Sequence, residues 1–341
     1  MSTYVPIDYV RDTIDYFHDH KGNVYPNSSV VYDYVSSKES LIELMYACDM
    51  SKSLGSPVDL SEDYDVIRDY LASKIDAGVR EFADNKTLHY YITACDITSK
   101  WRKNKVVYKV DAELSKQFYN MQLPDDICTH VFTKQPAECY YIDMAGNGDT
   151  IMSNLHGIFV RTKMIDEFCF LQFILIPNNK DDEVICKAMY VDSSSDTVPN
   201  LSKENTGFDR LNETALYNFF LNFSTYLNAA NRDVEVSVRT CDNHTRTFNV
   251  IKDKFREVKE FDVGLRYGNT IRDHVKQYKY IGDKSPNTAD KRSITSHYRR
   301  AHWHHYWVGS GEDKRLIIKW VDSVFVKGNK ETDAVVVHKV K

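Results

Sequence analysis

Asp166-Glu167-Phe168-Cys169-Phe170-Leu171-Gln172-Phe173-Ile174-Leu175-Ile176 runs directly into Pro177-Asn178-Asn179. A short segment this rich in aromatic and branched residues, closed by a turn signal, reads as a β-strand. Working outward, the segments at 138 to 144, 155 to 162 and 183 to 191 share its Phe, Ile, Val, Tyr and Cys content, and Gly146-Asn147-Gly148 supplies another turn. Together they predict a mostly antiparallel sheet in the middle third. Residues 193 to 206 read as a surface loop leading to a helix from about 210 to 230.

The first third changes period. Ser36-x-x-Glu39 is a capping-box pattern ahead of Leu41, Ile42, Leu44 and Met45, and predicts a helix ending near Gly55 and Pro57. Val66, Ile67, Tyr70, Leu71 and Ile75 recur at helical spacing, and Tyr90, Tyr91, Cys95 and Ile97 predict a further helix before Trp101. From about 297 strand character returns, with a Val308-Gly309-Ser310-Gly311-Glu312-Asp313 turn and alternating residues at 315 to 320 that predict a hairpin. The polar stretch 282 to 295 reads as its tether. The expected fold class is α+β: a mainly helical region at 1-120, an α+β body at 121-270, and a C-terminal hairpin region at 271-341.

With 341 residues and 42% hydrophobic content the chain can bury a proper core, which excludes a disordered protein. A net charge of -5 lacks the basic excess of a DNA-coating protein, so no DNA partner is expected. Charge is unevenly spread: residues 271 to 320 hold 11 Lys or Arg against 5 Asp or Glu, making the hairpin region basic beside an acidic body. Cys48, Cys95, Cys128, Cys139, Cys169, Cys186 and Cys241 are odd in number and never form a Cys-x-x-Cys pair, which predicts reduced core thiols. No run approaches the roughly 18 apolar residues a bilayer span needs, and the N-terminus lacks a signal pattern. A cytoplasmic protein with no membrane partner is expected.

The chemistry concentrates at His297-Tyr298-Arg299-Arg300-Ala301-His302-Trp303-His304-His305-Tyr306-Trp307. At strand period, Tyr298, Arg300, His302, His304 and Tyr306 share one face, with Arg299, Ala301, Trp303, His305 and Trp307 on the other. Arginine grips phosphate bidentately and rings stack bases, which suits RNA; the same aromatics and arginines suit a peptide as anchors. The candidate partner-binding residues are therefore Arg299, Arg300, His302, Trp303, His304, Tyr306 and Trp307, joined by Arg266 and Arg272 upstream. An enzymatic alternative is a ribonuclease using His302 or His304 with Arg299 or Arg300. His302 and His304 have metal-ligand spacing but no nearby third ligand, so neither metal nor cofactor is expected. Gly264-Leu265-Arg266-Tyr267-Gly268 precedes a helix-like stretch at 271 to 278, where Arg266 and Arg272 can meet an anion or serve a structural turn. Leu123-Pro124-Asp125-Asp126 reads as a helix exit and turn.

The run His297-x-Arg299-Arg300-x-His302-Trp303-His304-x-Tyr306-Trp307-x-Gly309-x-Gly311, followed by Trp320 and Phe325-Val326, resembles the C-terminal signature of a type V-A anti-CRISPR protein family. Trp101-Arg102, Leu123-Pro124-Asp125-Asp126, Pro136-x-x-Cys139-x-Tyr141-x-Asp143, Gly157 and Gly264-x-Arg266-x-Gly268-x-x-x-Arg272 fall in the same order upstream. The likeness spans roughly residues 90 to 328. It departs from the family at Ala301, where glycine is usual, at His305, where a small residue is usual, and over the first 85 residues. The resemblance implies a non-enzymatic inhibitor in the bacterial host cell that recognises the nascent N-terminal peptide of the type V-A CRISPR effector nuclease. It further implies loss of that nuclease's messenger RNA, with the ribosome or the message as possible additional contacts. An RNA-acting protein, ribonuclease or binding module, is the competing expectation.

Overall fold

The computed structural model describes residues 5–14, 28–37, 85–121, 123, 134–144, 146–165, 168–179, 182–192, 211–240, 257–281 and 297–326. Among these, α1 Val5–Ile14, α2 Ser28–Ser37 and α3 Asn85–Asn104 come first. Next are β1 Val106–Val110, α4 Ala112–Asn120, β2 Cys139–Asp143, β3 Leu155–Ile165, β4 Phe168–Pro177 and β5 Ile185–Asp192. α5 Glu213–Asn228, β6 Val234–Thr240, β7 Glu257–Val263 and α6 Leu265–Ile281 follow. The short strands β8 His297–Arg299, β9 His302–Val308, β10 Arg315–Val321 and β11 Val324–Val326 close the order.

Among the described residues, seven strands make one sheet in the order β5-β4-β3-β2-β1-β7-β6. The ladders from β2 to β5 and between β6 and β7 are antiparallel, as expected for 138 to 191. The sheet as a whole is mixed, because β1 pairs parallel with both β2 and β7 at its centre. Parallel neighbours need a crossover, and α4 is the helix that begins the return from β1 towards β2. Val106, Val107 and Val110 give β1 the branched side chains of a buried strand.

Helices cover both faces of the sheet, which explains why β4 is apolar almost throughout. Its Cys169, Leu171, Phe173 and Leu175 enter the core beneath α4, α5 and the C-terminal hairpin. Phe170, Ile174 and Ile176 enter the opposite core, beneath α1, α2 and α3. On that second side Trp101, fully buried at the end of α3, donates its indole N–H to the Val106 carbonyl at 2.9 Å and stands edge-on to Phe159. The buried Arg161 guanidinium of β3 pairs there with Asp96 of α3, and also reaches Glu138 at 3.2 Å. Removing one member of such a buried pair costs about 3–5 kcal/mol, because the other charge is left unmatched.

The expected helices before Trp101 and near 210 to 230 are α3 and α5, and the expected hairpin is β9 with β10. Ser36, expected to open a helix, lies instead in the last turn of α2, where its hydroxyl donates to the Cys95 carbonyl at 3.3 Å. The proposed helix beyond it, that at Val66 to Ile75, the loop at 193 to 206, the tether at 282 to 295 and Asp125-Asp126 lie outside the described residues. Cys95, Cys139, Cys169 and Cys186 are free thiols, the first three buried. Burial pushes the Cys169 thiol up to about 11, so it stays protonated and inert at neutral pH. No helix among the described residues is long and apolar enough to cross a membrane.

Candidate functional site

The C-terminal hairpin has one face in the core and one outside it. Antiparallel register sets Trp303 opposite Trp320 and His305 opposite Ile318 on the inner side, with Trp307 on the same alternation. The two tryptophans meet at 5.0 Å between ring centroids, nearly edge to face, and Trp320 also stands edge-on to Phe118, Tyr226 and Tyr267. Trp303, expected as a partner anchor, is only 7% exposed. Its indole N–H donates to the Oδ1 of Asn222 at 2.8 Å, so it is a core residue with its polar edge satisfied. Ala301, where the resembled family usually has glycine, is likewise buried.

Asn222, on α5, is a junction that sequence reasoning missed. Its amide donates to the Phe118 and Met121 carbonyls at 3.2 and 2.9 Å, at the end of α4, where helix geometry leaves acceptors without internal partners. One buried side chain therefore fastens α4, α5 and the hairpin. An asparagine set among Phe219, Phe220, Leu221 and Phe223 was the available signal.

The outer face of the hairpin carries His302, His304 and Tyr306, opposite Val321, Lys319 and Ile317. All three ring residues are exposed, with the His304 and Tyr306 centroids 4.5 Å apart and the Lys319 ammonium 5.3 Å from the Tyr306 centroid. Arg299 and Arg300 are also exposed. Trp307 belongs to the inner-face alternation but lies beyond the core, 70% exposed. Two of the expected anchors, Tyr306 and Trp307, thus remain available at the surface.

Arg266 and Arg272 are each paired with an aspartate. Asp233 accepts from the backbone N–H and Nε of Arg266, both at 2.7 Å, so its carboxylate already occupies the N-terminus of α6. Arg272 pairs with Asp111 at 2.8 Å, and Asp111 also caps α4 through the Glu113 N–H. Each aspartate raises its arginine's pKa, in both cases chiefly by hydrogen bonding. The glycines between them serve the same junction: Gly264 has φ +78°, and a methyl on Gly268 would strike the Asp111 carboxylate. The Gly264-x-Arg266-x-Gly268-x-x-x-Arg272 pattern therefore records how α6 seats against Asp233 and Asp111. Gly157 has a comparable reason, since a side chain there would collide with the phenol of Tyr141.

Beside this junction lies a pocket of about 340 Å³, lined by the end of α5 and the residues after it, the first turns of α6, and Asp322 and Ser323 after β10. Tyr226, Tyr267 and Ile271 give it aromatic and apolar walls, Asp322, Ser323 and Thr270 give it acceptors, and Arg266 lines it while paired with Asp233. Burial raises the Asp322 carboxyl above its ordinary range, opposed in part by Trp320 and Arg266, while Asp233 raises it further. Burial also pushes the Tyr226 phenol well up, leaving a neutral hydroxyl that accepts from the Asp233 backbone N–H at 3.1 Å. Such a site can receive an amide-bearing or small polar group against rings. Of its lining, only Arg266 was singled out from the sequence; Asp322 and Ser323 sit immediately after the alternating β10 pattern, which directed notice to the strand instead.

A family model described as AcrVA2-like, the Anti-CRISPR type V subtype A2 family, matches residues 108–328. The match contains the pocket, the α6 junction and the whole hairpin. A crystal structure of AcrVA2 is similar with a TM-score of 0.56 and 19% sequence identity, covering 96% of this chain and 100% of that one. No curated protein matches the chain.

Proposed function

Since this chain belongs to the AcrVA2-like, type V subtype A2 anti-CRISPR family and is accordingly an anti-CRISPR inhibitor, we propose that it recognises the nascent N-terminal peptide of the type V-A effector nuclease. Capture of that peptide as it leaves the ribosome lowers synthesis of the nuclease through loss of its messenger RNA, in the cytoplasm of the bacterial host. The chain binds and is not itself the catalyst of that loss.

The observation that carries this reading is the pocket between Tyr226, Tyr267 and Asp322. Its volume suits one or two side chains or a chain end, its walls are rings, and its carboxylate and hydroxyls can accept from peptide amides. Trp307 presents further ring surface on the adjoining hairpin. A folded helix could not enter such a space, whereas an unfolded nascent segment can thread its side chains into it one at a time.

The test is a pull-down from translating cell extract with tagged full-length chain, with and without puromycin. One messenger recovered together with its ribosomes, and lost when puromycin releases the nascent chain, is the expected result. Messenger recovery indifferent to puromycin, or cleavage of that messenger by the purified protein without ribosomes, would replace peptide recognition by direct action on RNA. In the second case His304→Ala should abolish the cleavage.

A further inference from the structure

The outward face of the hairpin is not used by the peptide pocket, yet it is built of groups that the fold does not need. His302, His304 and Tyr306 occupy alternate positions of β9, about 7 Å apart along the strand. Their rings form a continuous series: His302 and His304 lie 6.4 Å apart edge-on, and His304 and Tyr306 lie 4.5 Å apart at 39°. Lys319 stands across the ladder from His304 with its ammonium against Tyr306. Arg299 and Arg300 are exposed at the strand's entrance, and Lys314 is exposed beyond the turn. The cross-strand pairs His302 with Val321, His304 with Lys319 and Tyr306 with Ile317 contain no carboxylate, and the acids of the hairpin, Glu312 and Asp313, are confined to its turn.

We propose that this face binds a single strand of RNA, its bases on the rings of His302, His304 and Tyr306 and its phosphates on Arg299, Arg300 and Lys319. Rings spaced along a strand and flanked by cations are the arrangement by which sheet surfaces hold unpaired bases, since every base offers a π-face and every linkage a negative charge. An acidic peptide would satisfy the cations but would leave the ring series without flat partners. Imidazole nitrogens beside the sugars can exchange hydrogen bonds with 2′-hydroxyls, which single-stranded DNA lacks. The chain thereby carries two surfaces, a pocket for peptide and a strand face for RNA.

The experiment is fluorescence anisotropy of a fluorescein-labelled single-stranded oligouridine against the purified full-length chain, with no ribosome present. Saturable binding should weaken linearly with the logarithm of salt concentration. The double substitution His304→Ala, Tyr306→Ala should lower affinity about tenfold or more, while Tyr306→Trp retains it. Arg299→Gln with Arg300→Gln should flatten the salt dependence. These side chains are exposed, so melting temperatures should remain near that of the parent and keep the comparison interpretable. Unchanged affinity in the double variant, equal affinity for single-stranded DNA, or binding of polyglutamate in place of the oligouridine would each overturn the proposal. Loss of oligouridine binding leaves puromycin-sensitive capture of one messenger intact, whereas puromycin-indifferent recovery that persists in the His304→Ala, Tyr306→Ala variant counts against peptide capture alone, so the two readings fail separately.

Discussion

The two faces of the β9–β10 hairpin are made from alternate residues of the same seven-residue strand, yet they have opposite fates. On the inner face Trp303 and Trp320 are buried against α4, α5 and α6, and the Trp303 indole is hydrogen-bonded to Asn222. On the outer face His302, His304 and Tyr306 are exposed, and their contacts include one another, Lys319 and, for His302 Nδ1, the Arg300 carbonyl. An aromatic side chain is therefore no guide to recognition until its strand face is known. The inner rings hold the hairpin in place, and that rigid base is what lets the outer groups keep a fixed spacing.

The sharpest way to break the comparison is to truncate a residue on each face. Trp320→Ala should destabilise the protein by about 3–5 kcal/mol, as removal of a large fully packed ring does. Chemical denaturation with an unchanged m-value would measure it. A loss below about 1 kcal/mol would mean that the inner face is not core. Asn222→Ala comes next: it strands the buried Trp303 indole N–H and the α4 carbonyls, at about 1–3 kcal/mol. If the indole donor matters, Trp303→Phe should recover part of that loss in the Asn222→Ala background, and additive effects would deny the coupling.

Trp307→Ala probes the same strand where it leaves the body. At 70% exposure the ring contributes little to folding, so stability should stay within about 0.5 kcal/mol of the parent. Capture of nascent nuclease should nevertheless fall by more than about 2 kcal/mol if the ring is a hot spot of the peptide interface. Equal capture by a folded Trp307→Ala variant would remove this residue from the interface and leave the pocket to carry recognition alone.

The middle strands were legible because hydrophobic runs and turn residues act locally: Phe168–Pro177 and the turns around Gly146 and Asn178 needed no tertiary information. β1 was harder, for Val106–Val110 is only five residues long and its central position is set by partners far along the chain, β2 and β7. The same limit governs the site. A strand pattern placed Trp303 and His304 on opposite faces, but only the packing of Phe118, Tyr226 and Tyr267 decides which face is inside. Arg266 and Arg272 stood out as free cations because their partners, Asp233 and Asp111, lie 33 and 161 residues away. Asp96 and Arg161 could not be paired from their positions in the chain for the same reason, although both are buried.

The smallest expected effect separates pocket chemistry from fold stability. Burial raises the Asp322 carboxyl, so the folded state favours the protonated form more than the unfolded state does. The stability this contributes is fully present below the unfolded carboxylate pKa and is lost as pH rises through the higher folded value. Asp322→Asn, which cannot ionise, should match the parent at acid pH and become slightly more stable than it above that window. Thermal melts across the acid range would show the two curves parting in that direction; a variant less stable at neutral pH would mean that the charged carboxylate is a structural partner. Because the substitution does not weaken the fold in this account, any accompanying loss of nascent-chain capture must come from the removed charge. The pocket and the hairpin core can then be told apart even though they share Tyr226 and Tyr267.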